Sequence, residues 1–125
     1  MRALNSALVV EDSQTVRLII SRHLKSLGVN NVDEAEDGAA AIERLRERGY
    51  DLMISDWEMQ PMGGEQLLKA VRQNPRHAKL PIIMITATAA RGASWLAGAD
   101  AYLQKPFSEN DLQKAITTIF GGNVN

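Results

Sequence analysis

The chain has 125 residues, which is the length of one domain and is enough to bury a core. Its 45% hydrophobic and 23% charged residues are ordinary for a soluble globular protein. A net charge of −1 argues against nucleic acid as a partner, no apolar run approaches the ~20 residues of a membrane span, and the absence of cysteine excludes zinc–thiolate sites. We therefore expect one cytoplasmic domain over residues 1–125, with its core at about 6–120 and no membrane partner.

Apolar runs and amphipathic segments alternate along the whole chain. The pattern predicts strands at 7–10, 31–35, 50–55, 81–85 and 100–104, and helices after Ser13, at 38–48, near 65–73, near 89–97 and after Ser108. Strands that are continuously apolar are typical of a parallel sheet covered on both faces, so the fold class is α/β. The second strand is polar enough to be an edge strand.

Helix ends are marked by local signals. Ser13 is a suitable N-cap for the first helix, and Gly28 is placed to end it in the left-handed conformation. Ser108 and Asp111 have the spacing of a capping box at the start of the last helix.

Polar side chains follow four of the predicted strands. Glu11 and Asp12 follow the first, Asp56 the third, Thr86 the fourth and Lys105 the fifth. Ligands bind beyond the carboxyl ends of the strands in an open parallel sheet, so these groups are expected to converge. Crowded carboxylates need a cation, and oxygen ligands favour Mg²⁺.

The chain resembles the receiver domain of two-component response regulators over essentially its whole length, and most of all the single-domain chemotaxis-type receivers. The motifs that carry the resemblance lie at 8–13, 34–38, 54–59, 85–87, 98–102 and 105–107. The resemblance implies a flavodoxin-like (βα)5 three-layer sandwich with a parallel five-stranded sheet of order 2-1-3-4-5. It also implies a signalling phosphoacceptor that assists its own phosphotransfer and dephosphorylation, not an enzyme.

The resemblance further implies roles for the acidic residues. Asp56 would be the phosphoacceptor for a phosphoryl group from a sensor histidine kinase or phosphotransfer protein. Asp12 would bind Mg²⁺ directly and Glu11 through water, while Asp56 and the backbone carbonyl of Glu58 would complete the protein ligands.

The remaining roles concern the phosphoryl oxygens and the output. Thr86 and Lys105 would hold the phosphoryl oxygens, and the peptide before Pro106 would be cis. Thr86 and Tyr102 would form the switch. Its movement would change the surface of the fourth helix, fifth strand and fifth helix, which would contact a downstream protein.

Three departures from the family pattern limit what the resemblance implies. One is the acidic pair itself, Glu11 and Asp12, a common variant that is still expected to bind metal. In the loop at 59–64, proline has moved by one position to Pro61 and glycine replaces the usual acid at Gly63, which predicts a changed loop geometry. The stretch from Thr86 to Gly98 is about three residues shorter than in chemotaxis relatives, close to one helical turn. We therefore expect a short fourth helix, weakened by Gly92 and exchanging its amide hydrogens quickly.

Three other interpretations remain open. The chain could be a receiver module from a hybrid kinase or multidomain regulator. A phosphatase with an aspartyl nucleophile would need a second aspartate two residues on, where this chain has Glu58. A flavin mononucleotide carrier would need a hydroxyl- and glycine-rich loop after the first strand, where Glu11 and Asp12 would repel phosphate.

Overall fold

The computed structural model describes residues 4–87 and 98–121. Five strands and four helices lie in these residues: β1 (Ser6–Val10), α1 (Gln14–Ser26), β2 (Asn31–Ala35), α2 (Gly38–Glu47), β3 (Leu52–Asp56), α3 (Gly64–Gln73), β4 (Ile82–Thr86), β5 (Ala101–Gln104) and α4 (Glu109–Phe120). The helix predicted after Ser108 is therefore α4 in this numbering. The short helix predicted near 89–97 lies outside the described residues.

The strands form one parallel sheet in the order β2-β1-β3-β4-β5, which confirms the predicted topology. The polar strand β2 is at an edge, as predicted. In the middle of the sheet, Ile54 of β3 pairs with Val9 of β1 and Ile83 of β4. The three central strands consequently end side by side.

Two apolar layers cover the sheet, one on each face. The first packs alternate strand residues against α1 and α4, and includes Val9, Ile54, Ile85, Leu24 and Ile116. The second packs the intervening residues against α2 and α3, and includes Leu8, Met53, Met84, Ala41 and Leu67. Because each central strand is buried on both faces, its sequence is continuously apolar.

The helix ends agree with the local signals in the sequence. Ser13 Oγ accepts a hydrogen bond from Val16 N at 3.3 Å, and Gly28 has a φ of +97° just after α1. Ser108 and Asp111 form the predicted capping box, in which each side chain accepts from the other residue's backbone N at 3.0 Å.

Strand β3 begins at Leu52, two residues later than predicted. Just before it, the side chain of Asp51 accepts hydrogen bonds from Asn5 N at 2.9 Å and Ser6 N at 3.1 Å. Tyr50 is held in turn by its hydroxyl, which donates to Asp33 at 2.6 Å. These residues therefore fasten the amino ends of β1 and β3 before the sheet ladder begins.

An arginine fixes the start of β4 and the approach to β5. Arg72 donates to Gly98 O and Leu80 O, each at 2.7 Å, and to Asp100 Oδ2 at 3.0 Å. The same Asp100 oxygen accepts from Ile82 N at 2.8 Å.

None of the helices within 4–87 and 98–121 is both long and apolar enough to cross a membrane.

Candidate functional site at the carboxyl edge of the sheet

Main-chain hydrogen bonds extend past the strand ends and place the polar residues that follow them. Glu11 N donates to Ala35 O at 3.0 Å, Trp57 N to Ile85 O at 2.8 Å, and Lys105 N to Thr86 O at 2.8 Å. The loops after β1, β3 and β5 are thus registered to the neighbouring strands. This is why residues from distant parts of the sequence meet at one edge.

The centre of the site is an ammonium group between two buried carboxylates. Lys105 Nζ lies 2.9 Å from Glu11 Oε1 and 3.3 Å from Asp56 Oδ2. Asp56 is 2% exposed and Glu11 is 1% exposed, whereas Asp12 beside them is exposed to solvent. Sequence reasoning predicted that these residues converge, and the structure brings them together.

Burial dominates the electrostatics of this cluster. It raises the pKa of Glu11 and of Asp56, and the hydrogen bond or charge of Lys105 opposes the rise only in part. Burial alone would lower the pKa of Lys105, but its hydrogen bond to Glu11 and the charge of Asp56 outweigh that effect and raise it. Lys105 therefore offsets only part of the cost of burying the two charged acids, and a further positive charge would favour their ionised forms.

The carboxylates have the arrangement and chemistry of a divalent-cation site. One oxygen from each of Glu11, Asp12 and Asp56 lies within 4.8 Å of the others. Asp56 Oδ1 is buried and has no hydrogen-bond partner among the described residues, so one lone pair is open to a ligand. A small cation with oxygen ligands, such as Mg²⁺, fits this donor set.

Thr86 is completely buried at the end of β4, and its hydroxyl has a partner that sequence reasoning missed. Thr86 Oγ1 donates to Glu58 Oε2 at 2.9 Å, and Ala87 N donates to Glu58 Oε1 at 3.0 Å. The family resemblance implies a role only for the backbone carbonyl of Glu58, and that role stays a prediction. No sequence signal identifies the side-chain contact, because the two residues are 28 apart.

Arg17 is a second residue that the sequence did not single out. Its Nη1 donates to Glu11 O at 2.8 Å and its Nε to Glu34 Oε1 at 3.0 Å. Ser21 completes the link by donating to the other Glu34 oxygen at 3.1 Å. Arg17 therefore ties the backbone of the acidic pair to α1 and β2. The only hint in the sequence is an arginine early in the helix that follows the pair.

The loop between β3 and α3 packs tightly on its surroundings. A Cβ on Gly64 would lie 2.4 Å from Asp56 O, and one on Gly38 would lie 2.5 Å from Met62 Cγ. The peptide bond before Pro61 is cis, and so is the expected one before Pro106. Glycines 38 and 64 let two helix starts approach the loop closely.

Tyr102 lies on β5 and is 48% exposed. It pairs with Met84 of β4, which lies two residues before the buried Thr86. The described geometry thus places the predicted switch tyrosine on the surface, and its inward movement stays a prediction.

Comparison with known proteins identifies the family. Residues 7–117 match the profile of the response regulator receiver domain, and the chain belongs to this family. It is 40% identical over 116 residues to the chemotaxis protein CheY of Pseudomonas aeruginosa. The aligned stretch covers 90% of this chain and 94% of that protein.

Two solved structures are similar in backbone. The chemotaxis protein CheY4 of Vibrio cholerae matches with a TM-score of 0.85 and 31% identity, over 94% of this chain and 99% of that one. The receiver domain of a sensor histidine kinase from Pseudomonas aeruginosa, crystallised with a magnesium ion in its active-site cleft, matches with a TM-score of 0.85 and 29% identity, over 96% of this chain and 100% of that one. This chain is therefore a receiver domain homologous to CheY and response regulators, with the flavodoxin-like fold, which is consistent with phosphoacceptor signalling.

Proposed function

We propose that the chain accepts a phosphoryl group on Asp56 from a sensor histidine kinase or phosphotransfer protein, in a Mg²⁺-dependent reaction. The observation that carries the proposal is the position of Asp56. It is buried at the carboxyl end of β3, has one oxygen paired with Lys105, and has the other without a hydrogen-bond partner among the described residues.

The chain's own residues meet the two demands of phosphoryl transfer, which are positioning and charge neutralisation. The hydrogen bond from Trp57 N to Ile85 O at 2.8 Å fixes the backbone next to Asp56, and so the point from which its carboxylate extends. An Asp56 oxygen attacks phosphorus, the bond from phosphorus to the donor breaks, and the donor leaves with that electron pair. Lys105, 3.3 Å from Asp56, offsets the repulsion between carboxylate and phosphoryl group.

Glu11, Asp12 and Asp56 would hold the magnesium ion, with Glu11 acting through water and the Glu58 carbonyl as a further ligand. Bound there, the ion would polarise the phosphoryl group and neutralise the charge that gathers on its oxygens. Arg17 keeps the Glu11 backbone in place through the bond to Glu11 O.

The output would use the surface that carries Tyr102, formed by β5, α4 and the predicted helix near 89–97. Thr86 would donate its hydroxyl to a phosphoryl oxygen, and Tyr102 would turn inward. The change is a local gain of charge that would bias a two-state element. That charge is present only while the acyl phosphate exists, so the signal would last only as long. The downstream protein would bind to this surface.

Intact-mass measurement tests the assignment of Asp56. Incubation with acetyl phosphate and Mg²⁺ should add one phosphoryl group to the wild-type chain and release acetate. Asp56→Asn should abolish most of the added mass, while Asp51→Asn, an aspartate at the opposite end of β3, should be labelled like wild type. Equal labelling of wild type and Asp56→Asn would refute the assignment.

A further inference from the structure

The hydroxyl that is predicted to hold the phosphoryl group is already bonded to a carboxylate of the chain itself. Thr86 Oγ1 donates to Glu58 Oε2 at 2.9 Å, and Ala87 N donates to Glu58 Oε1 at 3.0 Å. The two donors belong to consecutive residues at the end of β4, and the acceptor comes from the loop after β3. One side chain therefore links the two loops that flank Asp56.

A carboxylate and a phosphoryl group compete for such donors because both offer negatively charged oxygens. The Thr86 hydroxyl has a single proton to donate, so it cannot serve Glu58 and a phosphoryl oxygen fully at the same time. Glu58 is two residues from Asp56, and its charge already acts on the Asp56 carboxylate. Phosphorylation replaces the single negative charge of the Asp56 carboxylate with the two of an acyl phosphate, a net gain of about one negative charge that repels Glu58.

We propose that the Glu58 carboxylate is an internal competitor of the phosphoryl group: it holds Thr86 Oγ1 and Ala87 N before phosphorylation and releases Thr86 Oγ1 when Asp56 is modified. This inference rests on the proposed phosphoacceptor role of Asp56. Glu58 is a positioning residue in this scheme, since it acts through Thr86. Phosphorylation would then recruit Thr86 and leave Glu58 with Ala87 N as its remaining donor.

The expected change in affinity for the phosphoryl group depends on how far Thr86 and Glu58 are exposed to water. Thr86 is 0% exposed, whereas Glu58 is exposed, so water screens its carboxylate and replaces part of the bonding when it leaves. Breaking such partly screened, charge-assisted bonds corresponds to a change in phosphoryl affinity of about threefold to tenfold.

Beryllofluoride, which mimics a phosphoryl group on a carboxylate, gives a direct affinity measurement at saturating Mg²⁺. The dissociation constant would be read from tryptophan fluorescence for wild type and for Glu58→Ala, Glu58→Gln and Glu43→Ala. Glu43 is the matched control, since it is an exposed glutamate on α2 that bonds to Arg46. We expect about threefold to tenfold tighter binding for Glu58→Ala, a smaller gain for Glu58→Gln, which keeps acceptors but loses charge, and no change for Glu43→Ala.

A double-mutant cycle separates competition from simple removal of a like charge. The effect of Glu58→Ala is measured again in a chain carrying Thr86→Val, which keeps the shape of the buried side chain but has no hydroxyl. If Glu58 acts by holding Thr86, the gain in binding free energy from Glu58→Ala should fall to less than half in that background. Urea unfolding of each variant checks that it remains folded.

The outcomes are distinct. No gain or a loss with Glu58→Ala would overturn the inference, and so would a gain of equal size in both backgrounds, because charge alone would then explain it. Neither result bears on the labelling of Asp56. If acetyl phosphate labels the wild-type chain and not Asp56→Asn, the proposed function stands. If the wild-type chain neither binds beryllofluoride nor is labelled, the proposed function fails and the competition fails with it.

Discussion

The substitution Gly64→Ala tests how closely α3 must approach the phosphoacceptor loop. Gly64 is the first residue of α3, and its N donates to Trp57 O at 3.0 Å. A Cβ at this position would lie 2.4 Å from Asp56 O and 2.7 Å from Trp57 Cα. Both atoms belong to the backbone beside the site, so neither can turn away as a flexible side chain could.

The expected cost follows from these contacts. Relieving an overpacked contact costs typically about 1–3 kcal/mol, and weakening the bond from Gly64 N adds about 1 kcal/mol. The better helix propensity of alanine returns at most about 1 kcal/mol. We therefore expect Gly64→Ala to lower the free energy of unfolding by about 1–3 kcal/mol. It should also reduce phosphoryl labelling, because the shift displaces the Asp56 backbone.

Urea denaturation followed by circular dichroism measures the change, with the slope of the transition confirming that both chains unfold alike. Gly49→Ala is the matched control, since Gly49 is exposed and a Cβ there meets nothing within 4 Å. That variant should stay within about 0.5 kcal/mol of wild type. A Gly64→Ala chain as stable as Gly49→Ala would refute the reasoning about close approach.

Two further predictions concern charge. Mg²⁺ should change the fluorescence of Trp57, which adjoins Asp56, and Asp12→Asn should weaken that response strongly; an equal response in a Trp57→Phe chain would show that the signal arises elsewhere. The hydrogen bond from Ser108 N lowers the pKa of Asp111, so its contribution to stability is present at neutral pH and is lost as pH falls below about 4; Asp111→Asn should lose it at neutral pH, and a wild-type acid unfolding profile unchanged by Asp111→Asn would contradict this.

Sheet order and helix ends could be anticipated from the sequence because their determinants are local or periodic. Ser13, Gly28 and Ser108 act on backbone groups within three residues of themselves, so a short stretch of sequence contains both partners of each cap. The continuously apolar strands determine that both faces are covered. Strand bounds are predicted less accurately: β3 starts two residues late, and Asp51 just before it bonds to residues 45 and 46 positions earlier, a contact that no local pattern encodes.

Convergence at the site was also predictable, because the carboxyl ends of parallel strands meet at one edge. The contacts within the site were not. Glu58 reaches Thr86 from the loop after β3, and no spacing rule encodes a side-chain contact between residues 28 apart. Arg17 was missed for a similar reason, since its acceptors are a backbone carbonyl and a side chain on β2.

The charges at the carboxyl edge explain why one site would need both a cation and a movable carboxylate. Glu11, Asp12 and Asp56 against the single ammonium of Lys105 leave two formal negative charges, which a divalent cation would balance. Phosphorylation would then exchange the single charge of Asp56 for the two of an acyl phosphate and restore an excess of about one negative charge. Glu11 and Asp56 are buried, whereas Glu58 is exposed and is held by Thr86 Oγ1 and Ala87 N. Withdrawal of Glu58 from Thr86, as we propose, would lessen the repulsion and let the Thr86 hydroxyl donate to a phosphoryl oxygen in the same step.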